Sequence, residues 1–152
     1  MDSAELRVPT LPVQVTLVLV GGRRETVMLY LAAGSPTHDG PESLEEFLNR
    51  SGAFLPVRLS SGDSAMIARD ALLEVLAARD TAPNSGAAIP NVDLIRVQLR
   101  EGPEIEGVVR HVDPDERSRL SDHFNHTERF LAIESGEEIH YVNKHHVLII
   151  LV

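Results

Sequence analysis

The chain has 152 residues, a formal net charge of −9, and neither cysteine nor tryptophan. The absence of cysteine excludes disulfides and thiolate metal sites. The acidic charge is divided evenly along the chain and disfavours non-specific binding to nucleic acid or anionic membranes. No apolar run approaches the roughly 20 residues of a membrane span, and the N-terminal residues lack a signal-peptide pattern. We therefore expect a globular cytoplasmic protein with no membrane partner.

Short strands dominate the predicted elements. The first 11 residues show no periodicity, whereas alternating apolar residues after them indicate strands that end at glycine-containing turns. A segment rich in small residues, glycine and proline follows the first half of the chain and reads as a linker. In chain order, the first half is predicted to contain strands at 13–19, 25–33 and 53–59, with a short helix at 42–50 after the second strand.

An internal repeat organises the chain. Residues 44–55 align without a gap with residues 120–131, and Leu, Asn, Phe and Leu recur in step. The alignment extends upstream and downstream, with length changes only in predicted loops, so we infer a duplicated structural unit. The predicted domains are a first repeat at 12–79, a linker at 80–91 and a second repeat at 92–152. Repeats of this size are near the lower limit for an independent core, so the halves should pack together or the protein should oligomerise.

The repeat also resolves an ambiguous segment. Residues 64–79 have strong helix propensity when read alone, but their counterparts at 138–142 and 146–152 are β-branched and typical of strands. Because a duplicated unit keeps its fold while surface residues change, two short strands are predicted within 64–79. Each repeat then contains five short strands. We predict a mainly β protein made of two tandem five-stranded small barrels, each with a short helix between its second and third strands.

The second repeat resembles the Sm-like family. The strand, turn glycine and second strand of residues 97–109 resemble the first Sm motif, and residues 143–150 resemble the second, with Lys144 and His145 at the Lys-His position of bacterial Hfq. Residues 119–131 resemble a recurrent bacterial domain of unknown function with an Arg-Leu-Ser-Asp-x-x-Asn signature. The resemblance implies an Sm-like or SH3-like barrel that self-associates through edge strands. If the protein binds RNA as some Sm proteins do, the resemblance assigns the contacts to Lys144 and His145.

The chain departs from the RNA-binding pattern in two ways. A helical insert replaces the short loop between the second and third strands, and the first repeat has Arg69-Asp70 in place of Lys-His. An Sm-type RNA site also needs positive charge and a stacking side chain around a pore, which the net charge of −9 disfavours. Nucleic acid is therefore not the expected partner.

The helical insert of the second repeat supplies the candidate partner-binding residues Arg119, Asp122 and Asn125. Asn49 and Asn125 recur at equivalent positions, each followed two residues later by Ser or Thr. Without a signal sequence, the preferred interpretation is structural: Asn at a helix C-terminus, where it tolerates a left-handed backbone.

Two other sets of residues could form binding sites. His123, His126 and Asp122 could share a helix face and bind a metal, but a polar surface explains them better, and no metal is predicted. Arg23-Arg24 and residues 58–62 faintly resemble parts of a PilZ-type nucleotide-binding barrel, without its spaced arginine pair. No nucleophile elbow or phosphate loop is present, so neither an enzyme nor a cofactor is predicted. The expected function is a non-catalytic interaction or regulatory module that forms homo-oligomers and binds a protein partner.

Overall fold

The computed structural model describes residues 10–79, 91–111, 120–126 and 128–152. No helix within these ranges is long and apolar enough to cross a bilayer. The helices are α1 (Leu44–Leu48) and α2 (Leu120–His126). The strands are β1 (Thr10–Leu19), β2 (Arg24–Ala32), β3 (Phe54–Leu59), β4 (Ser64–Ala68), β5 (Leu72–Ala78), β6 (Asn91–Leu99), β7 (Ile105–His111), β8 (Phe130–Ser135), β9 (Glu138–Asn143) and β10 (Val147–Leu151).

All ten strands belong to one antiparallel sheet that does not close on itself. Its order is β10-β6-β7-β8-β9-β5-β1-β2-β3-β4. The prediction of a mainly β protein is therefore confirmed. Among the described strands, β4 and β10 lie at the two ends of the sheet and each pairs with a single neighbour.

The two halves of the sheet have the same strand order. In each half the last strand returns to lie beside the first, which gives β5-β1-β2-β3-β4 and β10-β6-β7-β8-β9. Each helix lies between the second and third strands of its half. The ambiguous residues 64–79 form β4 and β5, separated by a short 3-10 turn, so the prediction of two strands there is confirmed.

Two hydrophobic clusters fill the interior, and each takes side chains from both halves. The first is built mainly from β1, β2, β3, β5 and α1, but it also contains Phe130 and Tyr141 from the second half. The second is built mainly from β6 to β9, but it contains Val18 and Leu73 from the first half. The clusters therefore meet where β5 lies beside β9.

A capping box fixes the start of α1. The Ser43 hydroxyl accepts a hydrogen bond from Glu46 N at 3.1 Å, and the Glu46 carboxylate accepts one from Ser43 N at 3.0 Å. The backbone bond from Ser43, together with side-chain bonds from His38, Ser35 and Thr37, lowers the pKa of Glu46 to about 2. The helix is shorter than the predicted 42–50 because Ser43 begins it and Asn49 ends it.

Gly107 marks the closest approach between β7 and β8. A Cβ atom at this position would lie 2.4 Å from Glu134 O and 2.7 Å from the Ile133 side chain. Only glycine lets the two strands pass so closely, and β7 and β8 pair through a single residue pair, Val108 with Glu134.

Candidate assembly interface

The candidate site begins at the strand pair that joins the two halves. Here β5, the last strand of the first half, pairs with β9, the fourth strand of the second half. Arg79 N extends the ladder by donating a 2.8 Å hydrogen bond to Glu137 O. The register is Glu74↔Val142, Val75↔Tyr141, Leu76↔His140, Ala77↔Ile139 and Ala78↔Glu138. We call this pairing the central junction.

Polar contacts complete the central junction. His140 Nδ1 lies 2.6 Å from Glu74 Oε1. Asn143 is fully buried, and its amide donates to Arg69 O at 3.1 Å and Leu72 O at 2.9 Å. A buried amide that satisfies two carbonyls is expensive to remove, because both acceptors would be left without a partner.

Asn49 ties α1 to the other half of the chain. Its Oδ1 accepts a 2.8 Å hydrogen bond from Phe130 N, at the start of β8. The expectation of a left-handed backbone at this asparagine is wrong, because Asn49 has φ −91° and the described residues contain no non-glycine residue with positive φ. The side chain is needed for a contact with a residue 81 positions away, not for an unusual backbone.

The side chain of Tyr141 is buried at the central junction. Burial raises the pKa of the Tyr141 hydroxyl well above its ordinary range, and the carboxylates of Glu45 and Glu134 act in the same direction. Tyr141, Ala132 and Glu134 form a groove in the second half that Ser43 and Glu45 of the first half also line. The first half thus covers the second with both a strand and a helix.

Strand β10 exposes positions that β5 buries. Leu148 is 61% exposed, whereas its repeat equivalent Leu73 is 3% exposed at the central junction. Ile149 is likewise exposed, whereas its equivalent Glu74 is buried. The difference follows from the sheet order, because β5 lies between β1 and β9 while β10 pairs with β6 alone.

The opposite end of the sheet shows the same difference. Met66 on β4 is 62% exposed, and its equivalent Tyr141 on β9 is 5% exposed. Phe54 at the start of β3 is 54% exposed, and its equivalent Phe130 is fully buried. Both ends of the sheet therefore present exposed apolar side chains beside a strand edge that pairs with no further strand among those described. We call β4 and β10 the outer edges.

The predicted RNA contacts occupy a short 3-10 turn after β9. Lys144 Nζ donates to Phe124 O at 2.7 Å, near the end of α2, and burial lowers its pKa. Its repeat equivalent Arg69 has the same role, donating to carbonyls at and after the end of α1, including Leu48 O at 3.3 Å. His145 is exposed, and its Nδ1 lies 3.8 Å from Asp70 Oδ1. In this structure Lys144 holds a helix end, and the RNA-binding assignment stays a prediction.

Two of the three predicted partner-binding residues, Asp122 and Asn125, lie on α2. Asp122 and Asn125 are both exposed, and the Asn125 amide donates to Ser121 O at 2.9 Å within the helix. Arg119 lies outside the described residues. Asp122 and Asn125 are therefore on one short helix, in the half of the chain that carries the outer edge β10.

The residues of the predicted nucleotide and metal sites do not come together into one site within the described ranges. Arg23 pairs with Glu25 at 2.7 Å, and the Arg58 guanidinium lies 5.7 Å from the centre of the Tyr30 ring. Arg58 lines a groove with Ser60 and Gly62, and neither Arg23 nor Arg24 is part of that lining. Within the described ranges, no three metal-ligating side chains converge.

Sequence reasoning missed the outer-edge residues, although the repeat contained a signal. Leu73 and Leu148 align as apolar residues in the last strand of each repeat. When the last strand of the first repeat pairs with the fourth strand of the second, the other last strand and the other fourth strand stay at the ends of the sheet. One leucine of the aligned pair is then covered within the chain and the other is exposed. No protein-family model, curated protein or solved structure matches the chain.

Proposed function

We propose that the protein is a non-catalytic interaction module that self-associates through the outer edges β4 and β10. We further propose that its sheet is a tandem pair of five-stranded Sm-like or SH3-like barrels, with repeats at 12–79 and 92–152. Two features support the tandem architecture: the identical strand order of the halves and the helix at the same place in each.

The contrast between Leu73 and Leu148 carries the functional proposal. The two leucines are equivalent, but one is 3% exposed and the other 61% exposed. Full burial of a leucine side chain contributes about 1.5–3 kcal/mol, and an unpaired strand edge adds backbone donors and acceptors that a further strand would satisfy. Association through the outer edges recovers both contributions.

Sedimentation velocity over a range of protein concentrations tests the proposal. We expect concentration-dependent association that Leu148→Lys or Met66→Lys abolishes, because each places a charge in the apolar edge. Val20→Lys is the matched control, since Val20 is also exposed and apolar but lies in the turn between β1 and β2. A wild-type chain that stays monomeric at every concentration would contradict the proposal.

A further inference from the structure

We propose that the partner at each outer edge is a second copy of this chain, bound head to tail. Strand β10 of one copy pairs with β4 of the next in the register of the central junction, and Asn125 of the first copy accepts a hydrogen bond from Phe54 N of the second. This inference rests on the proposed self-association and specifies its geometry.

The central junction supplies the geometry. It joins a fifth strand to a fourth strand, and β10 and β4 are the remaining fifth and fourth strands of the sheet. A second copy can therefore extend the sheet by repeating a pairing that the chain already contains. Carrying the register over to equivalent residues gives Ile149↔Ile67, Ile150↔Met66 and Leu151↔Ala65.

The side chains at the outer edges have changed together. At the central junction Glu74 contacts His140 at 2.6 Å. Their equivalents are Ile149 and Ala65, which are both apolar. Like Glu74 and His140, Ile149 and Ala65 would be diagonal neighbours across the strand pair, and two apolar residues suit pairing between the outer edges. Pairing either edge with Glu74 or His140 would instead bury a polar group without its partner.

The residues that form the asparagine contact recur in both halves. Asn49, at the end of α1, accepts from Phe130 N at 2.8 Å across the central junction. Asn125 and Phe54 are the equivalent residues, and both are exposed. When β10 lies beside β4 of a second copy, the same geometry brings Asn125 to Phe54 N and covers the Phe54 ring.

A groove in the first half of the second copy can receive α2 of the first copy. In the second half, Ser43 and Glu45 of α1 lie over the groove that contains Tyr141. The equivalent groove of the first half is lined by Tyr30, Arg58 and Met66 and is open. The head-to-tail arrangement places α2 of the neighbouring copy over this groove, with Ser121 at the position of Glu45.

Engineered disulfides test the strand pairing in the full chain, which has no cysteine of its own. Arg79 N donates to Glu137 O, so the neighbouring Ala78↔Glu138 is a non-hydrogen-bonded pair. The two kinds of pair alternate along the ladder, which makes Glu74↔Val142 non-hydrogen-bonded as well. Side chains are closer together in such pairs and suit disulfide geometry, so the equivalent pair Ile149↔Ile67 is chosen. Ile149→Cys and Ile67→Cys are prepared separately and mixed under mild oxidation.

Head-to-tail pairing predicts a covalent heterodimer in the mixture and little disulfide in either variant alone. The intramolecular pair Glu74→Cys with Val142→Cys is the positive control for the geometry. Crosslinking of one variant with itself would show edge-to-like-edge pairing and overturn the inference while leaving self-association intact. Concentration-dependent association without any crosslink would also overturn the register, whereas a monomeric chain overturns the proposed function itself.

Alanine substitutions test the asparagine contact separately. Asn125→Ala should raise the dissociation constant by roughly 3- to 10-fold, the worth of one hydrogen bond, and leave the unfolding midpoint of the dilute chain unchanged. Asn49→Ala should do the reverse, lowering the unfolding midpoint while leaving association intact. An Asn125→Ala chain that associates as the wild type does would refute the contact.

Discussion

Replacing Leu73 and Leu148 by alanine, one at a time, separates folding from association at equivalent positions. Leu73 is 3% exposed and packs in the second hydrophobic cluster. Its removal deletes buried methyl groups and leaves a cavity at the seam of the two cores. Such substitutions cost about 2–5 kcal/mol, so Leu73→Ala should strongly lower the free energy of unfolding.

Leu148→Ala removes the same atoms from a side chain that is 61% exposed. In the dilute chain we expect a change within about 0.5 kcal/mol, as for most surface substitutions. In the assembled state the lost burial is worth roughly 1–2 kcal/mol of binding free energy, which raises the dissociation constant about 5- to 30-fold. The two variants lose the same atoms, and they differ in whether the strand has a neighbour on both sides, as β5 has, or on one side, as β10 has.

The assay combines urea unfolding with sedimentation velocity. Unfolding is measured at several protein concentrations, because association stabilises the folded chain by mass action and makes the midpoint concentration-dependent. Leu148→Ala should reduce that dependence, and Leu73→Ala should shift the midpoint at every concentration. Equal effects of the two variants on the dilute chain, or unchanged association of Leu148→Ala, would refute the reasoning.

Three further predictions concern the sheet and its helix. Gly107→Ala should destabilise the fold by roughly 1–3 kcal/mol, because the new Cβ would overlap Glu134 O. Gly62→Ala should cost less, because Gly62 has positive φ but no atom near the added Cβ; equal midpoints of the two variants in thermal unfolding would contradict this. Asn143→Ala should cost about 1–3 kcal/mol in urea unfolding because two carbonyls lose their donor, and a neutral result would show that water replaces the amide. The pKa of Glu46 lies below its ordinary 4.5, so its stabilisation is present above pH 4.5 and is lost as the pH falls toward 2. The stability difference between wild type and Glu46→Gln should shrink over that interval, and a difference that stays constant from pH 7 to pH 2 would be inconsistent with the capping box.

The sequence was sufficient for the strands because the repeat outweighed local propensity. Residues 64–79 favour a helix when read alone, yet β5 is held on both sides by β1 and β9, and its alternate faces supply Leu72 and Leu73 to different clusters. Pairing of the backbone on both sides and burial on both faces override the small helix preference of each residue.

The joint between the halves could not be read from the sequence. An alignment shows that two units are alike but not which strand of one lies beside which strand of the other. The role of Asn49 illustrates the difficulty: its recurrence was visible, but its partner Phe130 is distant in the chain. The predicted place of Asn49 at a helix C-terminus is confirmed, whereas its predicted left-handed backbone is wrong.

The two ends of the sheet are different strands, which gives the molecule a polarity. A head-to-tail contact between unlike surfaces can be repeated indefinitely, so copies would add in one direction until a ring closes or a filament grows. Each copy brings its units in pairs. A ring of intact chains would accordingly contain an even count of units, and odd-membered rings would be accessible only if the halves were separated.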